Sequence, residues 1–424
     1  MGSLSRKNQL YSSHKLLAWM IVTIGAGFYA YEFVIRLAPA LATSTLMQSF
    51  NVSAGELGKI LAFYYFIYSP LQLVVGLIMD RYGPHILLTV SCLLCAAGNF
   101  LFSITHMQII AEFSRILMGG GAAFAYVGAL KLATLWLPKR HFGLATGVVN
   151  TVGMSVGALS EMVLSPMIQH FGWTYTMHVL SIIGVLLCVT IWLFVRDGYG
   201  HISESPPEMM SYRPLLSGLK DAIQKPKMWL AGIVGFCLFS TVSVLSVLWG
   251  PLFLEQAKHF SHVQAADITS LILWGFAIGA LIVGKLSDVF YSRTLVLKIS
   301  SFLALITVAI IIYVPGITLV WMAVLFFILG FVSSGQIMVF TYAIELNPLK
   351  ISGVAVSLMN LFVMLNAVVL QPFIGYLLDY KNPAALTAKH VYLESSFSFA
   401  LSVMPIIFAI SFIVALLLKE PKHD

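Results

Sequence analysis

Charged residues are scarce in this sequence. Only 10% of the 424 residues are charged and 59% are hydrophobic, whereas about 25% of an ordinary soluble domain is charged. The mean hydropathy is +0.92. Such a composition excludes a soluble globular protein. It predicts an all-α protein that crosses a membrane several times.

Cysteine is also scarce, with four residues that all lie in long apolar runs. Cys92 and Cys95 form a CxxC pattern, but a place inside a membrane helix favours packing over metal or redox chemistry. The exposed segments lack a nucleophile paired with a base, a metal-ligand cluster and a phosphate-binding loop. We predict a protein that is not an enzyme and uses no cofactor and no metal.

Apolar runs recur along the whole chain. A run of about 20 residues crosses a hydrocarbon layer of about 30 Å as a helix. Twelve such runs are predicted, at 16–47, 53–79, 84–104, 107–137, 142–168, 172–195, 227–257, 265–288, 294–313, 317–346, 351–378 and 395–418. They leave no room for a separate soluble domain.

Lys and Arg are concentrated in the loops that share a side with the N-terminus, and such a bias marks the cytoplasmic side. The loops on the other side contain only Lys258, Lys381 and Lys389. Both termini are therefore predicted to be cytoplasmic. The net charge of +7 then reflects membrane topology, and we expect no nucleic-acid partner.

The longest polar stretch divides the twelve runs into six and six. It extends from Val195 to Lys227 and is rich in Pro, Ser, Gly and charged residues, a composition typical of a linker. The predicted organisation is a cytoplasmic N-terminus (1–15), a six-helix bundle (16–195), a cytoplasmic linker (196–226), a second six-helix bundle (227–418) and a cytoplasmic tail (419–424).

The two predicted bundles share sequence patterns at a nearly constant offset, which indicates an internal repeat. Gly76 and Asp80 recur 208 positions later as Gly284 and Asp288. Three residues of another segment recur 210 positions later, namely Pro138, Gly143 and Asn150 as Pro348, Gly353 and Asn360. A duplication is the simplest explanation.

These residues carry a family resemblance. The string "GLIMDRYG", from Gly76 to Gly83, resembles the loop signature of the major facilitator superfamily, and "RILMGGG", from Arg115, is similar to its second motif. The resemblance implies two pseudo-symmetric six-helix bundles that alternate in opening to either side. It also implies a monomer that transports a small molecule.

The repeated loop motif predicts a conformational latch between the bundles. Asp80 ends the second run, where a carboxylate can accept hydrogen bonds from the first amides of a neighbouring helix, and Arg81 can pair across the loop. A loop-stabilising charge pair is the alternative. The predicted latch residues are Gly76, Asp80, Arg81, Gly83, Gly284, Asp288 and Arg293.

The first run contains two charged residues, although a charge at the bilayer centre costs about 2.5–3.5 kcal/mol. Gly25, Tyr29, Glu32 and Arg36 are spaced so that they share one helical face. That face cannot contact lipid, and Pro39 is expected to kink the helix next to it. Arg36 also resembles the helix 1 arginine with which organic-anion transporters of this superfamily bind a phosphate or a carboxylate.

A buried acid without a neighbouring cation can carry a proton, whereas one beside an arginine stays charged. We predict Glu32, or alternatively Glu161, as the proton-coupling acid, with Arg36 and Arg115 setting its proton affinity. Glu112 lies one turn from Arg115 and is expected to pair with it. A permanent charge network that only holds helices together is the alternative.

The second bundle offers neutral polar residues where the first has charges. We predict a substrate site with charge on the first bundle and neutral hydrogen bonding on the second. Its residues are Tyr29, Arg36, Trp249, Gln336, Tyr342 and Asn360.

The fifth run lacks the Gly-Pro pair that drug and proton antiporters of this superfamily carry, which disfavours export. The strings "YEFVIR", "YYFIYSPLQ" and "LWGPLFLEQ" resemble the phagosomal nutrient-transporter branch of intracellular bacteria, which implies a bacterial inner membrane. The resulting prediction is proton-coupled uptake of a small carboxylate-bearing solute, such as an amino acid or dipeptide. An exporter of a siderophore or drug-like compound and a non-transporting sensor are the alternatives.

Overall fold

The computed structural model of the protein describes residues 15–197, 212–290, 292–348, 351–386 and 391–420. These ranges are helical and contain no strand. Within these ranges, eleven helices are long and apolar enough to cross a membrane, and a bent helix pair makes a twelfth. The predicted all-α polytopic membrane fold is confirmed.

We name the membrane helices spans 1 to 12 in chain order. Span 2 is the bent pair, and a linker helix, Tyr212–Ile223, precedes span 7. The bounds are Lys15–Phe50, Ala54–Leu71 with Val75–Tyr82, Pro84–Ile104, Gln108–Trp136, Lys139–Phe171, Trp173–Phe194, Pro226–Gln256, His262–Val289, Arg293–Tyr313, Leu319–Glu345, Ser352–Lys381 and Glu394–Leu417.

Spans 1 to 6 form the N-half and spans 7 to 12 form the C-half. Successive spans run in opposite directions, so Lys15 and Leu417 lie on one side, which we call the terminal side, and Phe50 lies on the far side. The terminal side is the predicted cytoplasmic side. The two-domain division stays a prediction, and much of the N-terminus, the linker and the tail lies outside the described residues.

Local sequence signals set several helix ends. The Ser53 side chain accepts a hydrogen bond from the Glu56 amide, and the Glu56 side chain accepts one from the Ser53 amide, so the predicted capping box begins span 2. Gly83 precedes span 3 with φ of +77°, a conformation that favours glycine. Pro84 then occupies the first helical position, where its missing amide hydrogen costs nothing.

Spans 1, 4, 7 and 10 are each irregular near their middle. Span 1 narrows to a 3-10 segment over Ala38–Ala42, which begins beside Pro39 as predicted. Span 4 breaks at Ala123 and Phe124, span 7 widens to a π-helix over Thr241–Trp249, and span 10 has a 3-10 segment over Ser334–Ile337. Irregular backbone at membrane depth is tolerated where protein or water surrounds it. The four segments therefore mark the interior of the molecule.

The two halves meet on the far side. Span 2 packs closely against span 11. A Cβ on Gly58 would lie 2.6 Å from the Gln371 carbonyl oxygen, and a Cβ on Gly375 would lie 2.4 Å from the Ala54 carbonyl oxygen. On the terminal side, a Cβ on Gly76, Gly284 or Gly353 would meet no atom of the described residues within 4 Å outside its own helix. The structure is therefore closed on the far side and open toward the terminal side.

Candidate functional site

The charged stripe of span 1 is buried, as predicted. Glu32 is 1% exposed and Arg36 is 6% exposed. The Arg36 Nη1 atom lies 3.3 Å from Glu32 Oε1, and the Tyr64 hydroxyl of span 2 donates a short hydrogen bond to the same oxygen. Among the described residues, Glu32 Oε2 and Arg36 Nε have no hydrogen-bond partner. The ion pair is electrically neutral and leaves an acceptor on Glu32 and a donor on Arg36 available.

Arg115 of span 4 lies beside this pair without a countercharge of its own. It is 1% exposed, and its guanidinium carbon lies 4.8 Å from the centre of the Tyr64 ring. Within the described ranges no carboxylate lies within 4 Å of it, and its Nε atom has no hydrogen-bond partner. Aromatic faces stabilise a guanidinium but do not neutralise it. The cluster therefore contains one carboxylate and two guanidinium groups.

Sequence reasoning did not assign the three tyrosines of "YYFIYSP" to the site. Tyr64 is packed against Tyr65 and stacked on Tyr68, with ring centres 6.0 Å apart in the stacked pair. All three are at most 7% exposed. Their spacing on span 2 was a usable signal, because residues four apart share a helical face. Only the fold shows that this face meets Glu32.

Glu112 does not pair with Arg115, so that expectation is wrong. Its Oε1 atom lies 3.3 Å from Nζ of Lys59 in span 2 and accepts a hydrogen bond from Gln108. Arg115 instead points toward Tyr64 and Phe102. Helical spacing allowed the pairing, but the lysine of the neighbouring span competes for the same carboxylate.

Glu161 of span 5 is a second fully buried acid, and its surroundings differ from those of Glu32. Its Oε1 atom accepts a hydrogen bond of 2.9 Å from the Ser246 hydroxyl of span 7, whereas its Oε2 atom has no partner. Among the described residues no cation lies within ion-pair distance of it. This contact joins the N-half to the C-half on the far side.

The π-helix of span 7 exposes carbonyl groups that side chains of span 11 use. The Gln371 side-chain amide donates to the Ser243 carbonyl, at 2.8 Å, and the Ser243 hydroxyl donates to Asn366. The Trp249 indole donates to the Gln371 carbonyl at 3.0 Å. Gln371 Oε1 keeps no partner. Trp249 is fully buried and fastens span 7 to span 11.

The remaining predicted substrate residues are not all brought together. Tyr29 packs against Tyr126, and its ring covers Gly153 of span 5. Gln336 lies in the 3-10 segment of span 10 with Nε2 unpartnered, and Asn360 is half-buried in span 11. Tyr342 donates to the Lys419 carbonyl at the terminal end of span 12, so the structure places it apart from the charged cluster.

The contacts that the structure describes for the predicted latch residues lie within single halves. Asp80 pairs with Lys131 of span 4, within the N-half, and the Arg81 guanidinium lies over the Tyr82 ring. Gly76 and Gly284 face open space. The Asp80 side chain therefore accepts from a lysine here, not from the first amides of another helix.

Other acids cap the helices that follow the repeated loops. Asp197, beyond span 6, accepts a 2.8 Å hydrogen bond from the His85 amide and lies against Gly83 at the start of span 3. Glu420, beyond span 12, accepts from the Arg293 and Thr294 amides at the start of span 9. The two caps are equivalent in the two halves, and sequence reasoning missed both.

Two effects act on the pKa of the Glu420 carboxyl group. Burial raises it, and hydrogen bonds from Ser292, Thr294 and the Arg293 amide lower it. The hydrogen bonds together have the larger effect, so the pKa lies below its usual value of 4.5. Arg293 itself donates to Glu345 Oε1 at 3.1 Å and to the Ser287 hydroxyl. The side chain of Asp288 lies outside the described residues.

The chemistry available at the site is ion binding and proton binding. The charged cluster has one positive charge in excess, and buried charge is costly unless it is paired. A solute with one acidic group supplies the missing negative charge. Glu161 supplies a carboxyl group that accepts from the neutral hydroxyl of Ser246.

Comparison with known proteins agrees with this architecture. Residues 17–369 match the family model described as Major Facilitator Superfamily. The chain is 23% identical to SauU of Cupriavidus necator, a probable sulfoacetate transporter, over 68% of each protein. It is 24% identical to GarP of Escherichia coli, a probable galactarate and D-glucarate transporter, over 82% of this chain and 86% of that one.

Among solved structures, a bacterial homologue of the human lysosomal transporter Spinster has a similar fold. In its inward-facing, unoccupied conformation it superposes with a TM-score of 0.78 at 14% identity, over 95% of this chain and 96% of that one. This likeness supports the fold alone. The resemblance to the phagosomal nutrient-transporter branch stays a prediction.

Proposed function

The chain belongs to the Major Facilitator Superfamily, a family of membrane transporters, and we propose that it takes up a small organic anion together with a proton. The observation that carries this proposal is the excess positive charge of the buried cluster formed by Glu32, Arg36 and Arg115. An anion that enters from the open side restores neutrality there. A neutral or cationic solute does not.

The chemical class of the solute is a carboxylate or sulfonate of modest size. Relatives at 23–24% identity are probable transporters of sulfoacetate and of galactarate and D-glucarate. Each of these solutes carries two acidic groups, one of which would pair with the excess guanidinium group. Gln336 Nε2 and Gln371 Oε1 of the C-half, which have no hydrogen-bond partner among the described residues, offer one donor and one acceptor for hydroxyl groups. Sugar acids use both kinds of partner, so they are the first solutes to test; amino acids and dipeptides come second.

The proton is assigned to Glu161 and not to Glu32. Glu32 already has a cation at 3.3 Å, and an acid beside an arginine stays charged. Glu161 is 0% exposed and its described hydrogen-bond donor is a hydroxyl. A charge at membrane depth without a partner costs at least about 2.5–3.5 kcal/mol. Far-side closure around Glu161 therefore favours its protonated form.

This assignment connects proton binding to the conformational cycle. Glu161 bonds Ser246 across the two halves in this far-side-closed state. Opening of the far side separates these spans and exposes the carboxyl group to the water on that side. With the terminal side cytoplasmic, as the Lys and Arg distribution predicts, an acidic exterior protonates Glu161 and promotes closure toward the inward-open state described here.

The test uses the purified full-length chain in proteoliposomes with an imposed pH gradient. Labelled sulfoacetate, galactarate, D-glucarate and a hexuronate are compared with pooled amino acids and dipeptides. We expect accumulation of at least one acid on the alkaline side, abolished by a protonophore. Movement of the solute out of the alkaline compartment, in exchange for protons that enter it, would instead indicate an exporter. Solute binding without flux would indicate a sensor.

A further inference from the structure

The far-side contact between span 2 and span 11 contains an acid that no prediction had assigned. Asp379 lies at the far-side end of span 11. Its Oδ1 atom accepts from the Ala54 amide at 3.1 Å, and its Oδ2 atom accepts from the Gly55 amide at 2.8 Å. A carboxylate of the C-half thus binds the first turn of a helix of the N-half.

This carboxylate completes the N-terminus of span 2. The first amides of a helix have no partner within the helix. The capping box satisfies the amides of Ser53 and Glu56, and Asp379 satisfies the two amides between them. The helix dipole adds to the attraction, because it favours negative charge at an N-terminus. Separation of the halves would leave two amides of span 2 and the Asp379 carboxylate without these partners.

Two neighbouring features fit this contact. The Tyr392 hydroxyl donates to Asp379 Oδ1 at 2.7 Å, and Tyr392 is 1% exposed. A Cβ on Gly55 would lie 2.1 Å from Cδ1 of the Tyr376 ring, so only glycine lets span 11 approach this closely. The contact is thus supported from both halves.

The sequence pattern relates Asp379 to the repeated loop motif. The spacing Gly-x-x-x-Asp ends three spans, as Gly76 to Asp80, Gly284 to Asp288 and Gly375 to Asp379. In span 11 the glycine packs against Ala54, and the aspartate four residues later binds the Ala54 and Gly55 amides. This is the type of helix-end contact predicted for Asp80 on the terminal side.

We propose that Asp379, supported by Tyr392, is the lock that holds the far side closed, and that its release from the first turn of span 2 accompanies far-side opening. The lock acts between the two halves and does not touch the charged cluster. Its strength sets how often the site faces the far side. This holds whichever solute is carried.

The test measures the distance between the halves without any solute, so it stands apart from the test of transport. Spin labels are placed on Met107→Cys and Val314→Cys, exposed residues of far-side loops in the N-half and the C-half, after the four buried native cysteines are replaced. Pulsed electron resonance then gives the fractions of far-side-closed and far-side-open molecules. In the labelled protein that keeps Asp379 and Tyr392, most molecules should show the short distance between the labels that marks a closed far side.

Asp379→Asn removes the charge and one acceptor, so we expect the open-to-closed ratio to rise about tenfold, equivalent to about 1.4 kcal/mol. Tyr392→Phe removes one hydrogen bond and should raise the ratio less. Glu394→Gln is the matched control, because Glu394 is a far-side acid that pairs with Lys258 within the C-half; it should leave the ratio unchanged. If Asp379→Asn does not yield a folded protein, a rise of the open-to-closed ratio in Tyr392→Phe serves as the test instead. An open-to-closed ratio equal to that of Glu394→Gln in both variants would overturn the proposal.

Discussion

The substitution Glu32→Gln tests the charge balance of the buried cluster. It keeps the size of the side chain and an oxygen that can accept from Tyr64. It removes the countercharge 3.3 Å from Arg36, so that two buried guanidinium groups remain without a carboxylate. Loss of one partner of a buried ion pair typically costs about 3–5 kcal/mol, because the other charge stays buried. We expect a large loss of stability from the replacement of one carboxylate oxygen by an amide nitrogen.

The assay is thermal unfolding of the purified protein in detergent. About 2–4 °C per kcal/mol applies to units of 150–250 residues, so the midpoint should fall by about 6 °C or more. The double variant Glu32→Gln with Arg36→Gln removes the uncompensated charge as well, and it should recover at least half of the loss. Glu112→Gln is the control, since its partner Lys59 is 50% exposed and such pairs contribute at most about 1 kcal/mol.

An equal unfolding temperature for Glu32→Gln and Glu112→Gln would contradict a buried, uncompensated charge on Arg36. That result would mean that Arg36 is hydrated or otherwise neutralised in the folded protein. A double variant less stable than Glu32→Gln alone would also contradict the charge argument. It would show that the guanidinium group packs favourably without its acid.

Three further outcomes follow from single residues. Gly58→Ala places a Cβ against backbone atoms of span 11, so far-side closure and transport should fall at least tenfold; Gly27→Ala, whose Cβ would meet only a side-chain atom at 3.9 Å, should keep both. Arg115→Met should preserve or raise thermal stability, as hydrophobic replacement of buried charge often does, while abolishing anion transport. Glu420→Gln should lower stability at pH 7 by about 1 kcal/mol, as loss of a helix cap does. Because the folded-state pKa of Glu420 is lowered, that difference should be fully present above the usual pKa and be lost as the pH falls through the lower folded-state pKa.

Local signals in the sequence predicted the parts of the fold that depend on neighbouring residues. Hydropathy located the spans, the Ser53 and Glu56 spacing located the start of span 2, and Pro39 located the irregular segment of span 1. The helical spacing of Glu32 and Arg36 also predicted one buried face. These features need no knowledge of how helices pack, since a residue and its neighbours within one turn determine them.

Contacts between spans were beyond such reasoning. Nothing near Glu112 in the sequence indicates Lys59 as its partner, and nothing near Asp379 indicates the amides of span 2. Glu32 and Glu161 looked equivalent as buried acids. The fold distinguishes them, because Arg36 and Tyr64 surround the first, whereas Ser246 from the opposite half contacts the second.

Coupling of a proton to anion uptake by Glu161 is tested by comparing two modes of transport in Glu161→Gln. Glutamine keeps the hydrogen bond to Ser246 but cannot release a proton. We expect that uptake driven by a pH gradient is lost, while solute counterflow at equal pH on both sides is retained. Undiminished pH-driven accumulation in Glu161→Gln would contradict it.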